Sequence, residues 1–255
     1  MYDFTIQKEM FIAASYLLKK HNLENVSALG GGTALAAYYW NHRYSTDIDI
    51  FTHSNVDISK LFAPARWDKT FRVIMQELGF TGDSKIHPIY TEFTIKDDFK
   101  MQFLSTVDRT KKPYKEVKLW DMNILLESVE EIISKKIFFR AHKGNARDLF
   151  DIALAIHKNP SILDNLNIPH EKIKELQTTV VTIASNKTLK EDYLSEITLM
   201  NPNQLYDSIS KNTIEYLKQF LENYISSKEL SIELDHNDFL EIENYVYSDI
   251  NKTIF

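Results

Sequence analysis

Asp47 and Asp49 stand two residues apart in the stretch TDIDIF. Along an extended segment, successive side chains point to opposite faces, so Ile48 and Ile50 take one face and both aspartates the other. At strand rise the two aspartate Cα atoms lie about 6.5–7 Å apart. Two carboxylates so close repel unless one is protonated or a cation bridges them. Oxygen donors of this kind suit Mg²⁺, which takes one or two carboxylates together with substrate phosphate oxygens. The plain alternative is an exposed strand edge carrying two solvated acids. Upstream, Gly31-Gly32-Thr33 opens a helical pattern. Free N–H groups at a helix start attract phosphate, and glycine lets the phosphate come close. The plain alternative here is a tight strand-to-helix turn. A phosphate cradle and a carboxylate pair on the next strand together make one site for a metal-bound triphosphate. The helix between them is short enough for both ends to face one cleft.

A second group of charged residues lies in KKIFFRAHKGNARDLFDIALAI, residues 135–156. Ser128-x-x-Glu131 reads as a capping box that starts a helix. On that helix Lys136, Arg140 and Lys143 share a face. Such a face could neutralise charge on a departing pyrophosphate, but by spacing alone it reads as a solvated cationic stripe. Asn145 reads as the N-cap of the next helix and Asp148 as its third residue, a position that favours an acid. Asp151 pairs with Arg147 at i, i+4 on this reading. Leu149, Ile152, Ala153 and Ile156 give the helix an apolar face.

Elements must hold these groups in place. Residues 4–20 read as an amphipathic helix, 26–31 as a strand, 33–40 as a helix and 46–51 as a strand. Residues 68–78 follow as a helix closed by Gly79. Two strands, 85–95 and 99–105, are joined by a turn at Lys96-Asp97-Asp98. Leu119-Trp120 is the last strand-like piece, which puts a boundary near residue 120. No glycine follows Gly144, and Ile214, Leu217, Phe220, Leu221, Tyr224 and Ile225 fall on one helical stripe. Pro160, Pro169 and Pro202 punctuate this half between helices. The reading is an α/β (α+β) fold with a helical C-terminal half.

The 255 residues are 44% hydrophobic, enough for a sizeable core. Net charge is −6, so bulk charge gives no nucleic-acid signal. Cysteine is absent, which excludes disulfides and thiolate metal sites. The histidines show no ligand-like spacing. No apolar run approaches a membrane span, and the N-terminus lacks a signal-peptide pattern, so the expected location is cytoplasmic.

The segments GGTALA (31–36) and HRYSTDIDIF (42–51) together resemble the AbiEii/AbiGii-type nucleotidyltransferase toxin family, within the DNA polymerase β-like nucleotidyltransferase superfamily. Lys136, twelve residues before Asp148 in the Arg147-Asp148-Leu149-Phe150-Asp151 cluster, matches a second family pattern. The resemblance spans roughly residues 26–157. It implies a small mixed-sheet nucleotidyltransferase domain over residues 1–120 and a helical domain over 121–255 that contributes Lys136 and Asp148 to the cleft. It implies transfer of a nucleoside monophosphate from an NTP, with Mg²⁺ or Mn²⁺ held by Asp47 and Asp49. Gly31, Gly32, Thr33, Ser45 and Arg140 would bind the nucleotide's phosphates. Arg43 would join them or fix the aspartate strand, and His42 would do either or simply pack. Lys136 and Asp148 would be catalytic, with Asp151 less firmly carried over and Lys135 the alternative if the register shifts by one. The acceptor implied is the 3′ end of tRNA or another RNA, and an antitoxin partner is implied as well. A basic patch from Lys135, Lys136, Arg140, Lys143 and Arg147 would offset the acidic net charge. Two other functions fit the same residues: a nucleotide-binding module without turnover, and transfer onto a protein or a small molecule. One departure stands out. Members of the superfamily often carry a third carboxylate on a later strand, where this chain has Gln102; some toxins of the family lack that acid too. A single metal ion is then expected.

Overall fold

The computed structural model describes residues 2–96 and 99–252, with side chains described up to Glu229. Seven strands form one mixed sheet: β1 (Ser27–Gly30), β2 (Ile48–Thr52), β3 (Ser84–His87), β4 (Tyr90–Thr94), β5 (Lys100–Ser105), β6 (Tyr114–Leu119) and β7 (Met122–Glu127). Their order is β3-β4-β5-β2-β1-β7-β6, with β2 parallel to β5 and β1 parallel to β7. The isoleucine face of β2 is fully buried, as are Met101 and Phe103 beside it on β5. Helix α1 (Thr5–Lys20) contacts β2, and α3 (Ile58–Phe62) contacts β4 and β5. Helix α4 (Lys69–Glu77) packs on α1 through Phe71, which stacks on Tyr16.

Four readings of the sequence need adjustment. The segment 85–95 is not one strand but the β3–β4 hairpin. Pro88 has no N–H for a ladder, and His87 pairs with Tyr90 across the two intervening residues. The turn expected at 96–98 falls largely outside the described residues. The helix expected at 33–40 is a short α-helix, α2 (Gly31–Ala34), that runs into a π-helical turn, Leu35–Trp40. Asn41, with φ of 49°, ends it through an N–H bond to the Ala36 carbonyl at 3.0 Å. The strand expected from Thr46 starts at Ile48. Gln7 and Thr33 side chains donate to the carbonyls of Ser45, Thr46 and Asp47, which would otherwise join the ladder.

The boundary expected near residue 120 lies in the turn of the β6–β7 hairpin, where Trp120 and Asp121 both have positive φ. The sheet therefore runs on to Glu127, with β7 lying directly against β1. Helices follow: α5 (Val129–Arg140), α6 (Ala146–Lys158), α7 (His170–Ser185), α8 (Lys187–Leu199) and α9 (Asp207–Lys252). The expected stripe on α9 buries Ile214, Leu217, Leu221 and Ile225. Sheet and helices share one apolar cluster that runs from Met10 to Ile225. A second tie comes from Asn203, just before α9. Its N–H donates to the His42 carbonyl at 2.8 Å and its side chain to the Asn41 carbonyl at 3.0 Å. No helix among the described residues is long and apolar enough to cross a membrane.

Candidate active site

The site begins at the glycine turn after β1. Gly31 has φ of +62°, a conformation that disfavours any residue with a Cβ. The three glycines also make room for three different side chains. A Cβ on Gly30 would strike the Glu127 carboxylate and the Phe51 ring, one on Gly31 the Asp49 carboxylate, and one on Gly32 the Arg43 guanidinium. Gly30 gave no separate signal in the sequence, because it needs space rather than positive φ. A Gly31→Ala chain is expected to fold but to lose at least about a hundredfold in transfer rate, the scale set by displacing a reacting group by an ångström. Circular dichroism and a nucleotide-transfer assay check this together. A wild-type rate would mean that Asp49 has room to spare.

On β2, Asp49 lies across from Gly30 of β1 and from Gln102 of β5. Asp47 sits just ahead of the strand, fixed by the Thr33 hydroxyl, which donates to its carbonyl. Neither aspartate has a cationic side chain within 4.0 Å among the described residues. Burial, together with the charge of Asp47, pushes the Asp49 carboxyl up to about 6.

The other acids around the cleft all have cations. Asp151 accepts a two-pronged bond from Arg43, at 2.8 Å from Nε and 2.7 Å from Nη2. It also meets His42 Nε2 at 2.7 Å and the Lys136 ammonium at 3.1 Å. Asp148 contacts the same ammonium and lies 3.4 Å from Arg140. Burial opposes ionisation of both acids, but Arg43 and Lys136 at Asp151, and Lys136 and Arg140 at Asp148, outweigh it and hold both carboxyls below the usual range. Asp151 thus pairs with Arg43 rather than with Arg147, its expected i+4 partner. Arg43 is buried and tied to α6. His42 is packed between Trp40 and Phe150, and burial keeps its pKa low despite Asp151. Its Nε2–H therefore donates to Asp151, a packing role.

A small polar recess of about 70 Å³ brings together Arg43, Ser45, Asp47, Asp49, Arg147 and Asp148. It shares Gly32, Asp49, Gln102, Lys136 and Arg140 with a larger cavity of about 720 Å³. Phe51, Ile89, Tyr90, Leu104, Val107 and Phe139 give that cavity apolar walls. Gly31 lines it too, whereas Thr33 is buried with its hydroxyl turned to Asp47. Arg140 is half exposed at the rim. Lys143 does not share its helix, because α5 stops at Arg140, and it lines a separate depression against α7 and α8.

Lys135 also reaches the cavity, beside a cluster the sequence did not reveal. Its ammonium lies 4.0 Å over the Phe51 ring, contacts Glu127, and is 3.2 Å from Glu131. His53 Nε2 is 3.2 Å from Glu127, and its Nδ1 is 2.6 Å from Asp108. His53, Glu127 and Glu131 have the donor types and proximity of a metal site. Lys135 already supplies their cation, however. Glu131, which closes the capping box in sequence, turns its carboxylate away from Ser128 to Lys135, the Arg109 N–H and the Thr110 hydroxyl. Only the Ser128 half of that box forms, with the Glu131 N–H donating to Ser128 Oγ at 3.1 Å. Asp47 and Asp49, whose carboxylates have no such cation, are the donor set in this cleft that fits an added divalent ion.

The sequence model of one family, described as "Nucleotidyl transferase AbiEii toxin, Type IV TA system", matches residues 15–176. The match runs through the glycine turn, the Asp47–Asp49 pair and the Lys136–Asp148–Asp151 network. The chain belongs to the AbiEii nucleotidyltransferase toxin family. As a member, this AbiEii protein is a nucleotidyltransferase. Among solved structures, a Helicobacter pylori protein proposed to be a nucleotidyltransferase is 17% identical. That match covers 91% of this chain and 99% of the other, at a TM-score of 0.51, which shows a shared fold. JHP933 from Helicobacter pylori is 18% identical over 91% of this chain and 96% of its own, at a TM-score of 0.49. The lincosamide antibiotic adenylyltransferase LnuA, solved with lincomycin, is 16% identical over 57% of this chain and 92% of its own, at a TM-score of 0.38. No curated protein matches the AbiEii chain.

Proposed function

We propose that this toxin-family nucleotidyltransferase moves a nucleoside monophosphate from an NTP to the 3′ end of tRNA or another RNA, with Mg²⁺ held by Asp47 and Asp49. Mn²⁺ would substitute. The observation that carries the reading is that these two carboxylates lack a cation in a cleft where the neighbouring acids have one. When bound, the ion would offset charge on the phosphates and polarise the α-phosphoryl group.

The chain's own residues do the rest. Backbone N–H groups at Gly31 and Gly32, with Ser45, cradle the phosphates. Arg140, half exposed and only loosely tied to Asp148, swings onto the departing pyrophosphate. Lys136 has a different task from the solvated stripe. Buried between Asp148 and Asp151, it locks α5 to α6 and sets the floor on which the acceptor lies. The acceptor hydroxyl attacks the α-phosphorus, its new P–O bond forms as the bond to pyrophosphate breaks, and positioning supplies most of the acceleration.

Arg109, Arg140 and Arg147 around the cleft favour a polyanionic acceptor. The setting is the cytoplasm, with an antitoxin as protein partner. The apolar walls of the larger cavity favour a second reading, a small apolar alcohol as acceptor.

One assay separates these readings. The purified chain is incubated with each α-labelled NTP, Mg²⁺, and either total tRNA or a panel of small alcohols. Label on tRNA that disappears in Asp47→Ala is the expected result. Label on a small alcohol alone selects the second reading. Nucleotide binding with no transfer to any acceptor overturns both and leaves a binding module.

A further inference from the structure

Gln102 occupies the position on β5 directly across from Asp49, and its side chain lines both the polar recess and the larger cavity. On its other side is Glu92 of β4, its register partner. The Gln102 amide nitrogen lies 2.9 Å from Glu92 Oε2. An ionised carboxylate only accepts hydrogen bonds, so the amide must present its NH₂ end to Glu92. That fixes the other end. The carbonyl oxygen is the end left for the recess that Gln102 lines together with Asp47 and Asp49.

Glu92 is held for this task. Its Oε1 takes Lys85 at 2.8 Å and has Lys100 at 4.0 Å, and its Oε2 also receives the Tyr90 hydroxyl. It is 4% exposed. With both oxygens occupied, Glu92 has no free oxygen to offer the cleft itself.

We propose that the Gln102 carbonyl is a neutral third oxygen donor to the cation of the Asp47–Asp49 pair, and that Glu92 is the positioning residue that turns it there. The inference rests on the cation reading of that pair. A neutral donor leaves the site two negative charges, which balance one divalent ion and not two. It also cannot take a proton from the acceptor, so it orders the site without serving as base.

Binding of Mn²⁺ alone, followed by electron paramagnetic resonance, tests this without reference to turnover. Q102L is expected to weaken Mn²⁺ binding about tenfold or more, the scale of losses at ligands and their supports. E92Q lets either end of the Gln102 amide face it, so binding weakens several-fold. The double variant E92Q/Q102E keeps total charge and keeps one hydrogen bond with its direction reversed, now placing a carboxylate beside Asp49. It is expected to bind Mn²⁺ more tightly than wild type, and it keeps the proposal open to refutation if E92Q alone fails to fold. Wild-type affinity in Q102L, or no gain in the double variant, overturns the proposal. Asp49→Asn is the control for the reading beneath it. If that variant too binds Mn²⁺ like wild type, the carboxylate pair is not the cation site at all.

Discussion

Asp49→Asn is expected to abolish nucleotidyl transfer and, at the same time, to make the metal-free protein more stable at pH 7.5. Loss of a metal-holding carboxylate removes several kcal/mol of transition-state stabilisation, so transfer falls at least about a thousandfold. The stability effect comes from the raised pKa. In the folded chain Asp49 titrates near 6, against an ordinary 3.8, because burial and Asp47 both disfavour its charge. A group whose folded pKa lies above its unfolded value binds its proton more tightly in the folded state. Its favourable contribution is complete below about pH 4 and is lost as pH rises through 6. At pH 7.5 the ionised pair therefore costs on the order of 2 kcal/mol, which asparagine relieves. The melting midpoint of Asp49→Asn should lie about 5 °C above wild type at pH 7.5 and meet it near pH 4. Millimolar Mg²⁺ should raise the wild type and leave the variant unmoved. A variant that melts below wild type at neutral pH would mean that the Asp47–Asp49 pair is held together by contacts and not kept open for an ion.

The second large effect is structural. Arg43→Met should remove about 3–5 kcal/mol of stability, the loss expected when one partner of a buried ion pair is taken away. Arg43 is 2% exposed and Asp151 fully buried, and the two make a two-pronged contact. Lys136 and the neutral His42 remain on Asp151 but do not replace the fork. Urea unfolding should show the midpoint falling without a change in slope. Arg43→Lys should sit between, since a lysine keeps the charge but not the planar geometry. Combining Arg43→Met with Asp151→Asn should lose less than the sum of the two, because the stranded carboxylate is gone. If Arg43→Met unfolds at the wild-type midpoint, the network is decoration on a core that stands without it.

The carboxylate pair and the glycine turn were legible in the sequence because their signal is local. Alternation around Asp47 and Asp49 sets the shared face, and buried Ile48 and Ile50 bear this out. The helical second half was equally plain from its periodicity and its lack of glycine. What stayed hidden depends on partners far along the chain. Nothing near Asp151 says that its cation comes from Arg43, 108 residues earlier, and the local rule offered Arg147 instead. The β6–β7 turn was missed because it adopts positive φ with Trp120 and Asp121, neither of which announces it as glycine would. Thr33 was read as a phosphate ligand from its place beside two glycines, yet its hydroxyl is drawn to the Asp47 carbonyl. Glu92 carried no signal at all, since its task appears only once β4 lies beside β5.

The continuous apolar cluster and the bonds from Asn203 to the Asn41–His42 turn have a mechanical consequence. Sheet and helices are joined at several points across the cleft, and Arg43 bridges it from within. A cleft braced in this way is expected to keep its width between the empty and the loaded protein, so selectivity rests on what the mouth admits, and pyrophosphate must leave by the same opening.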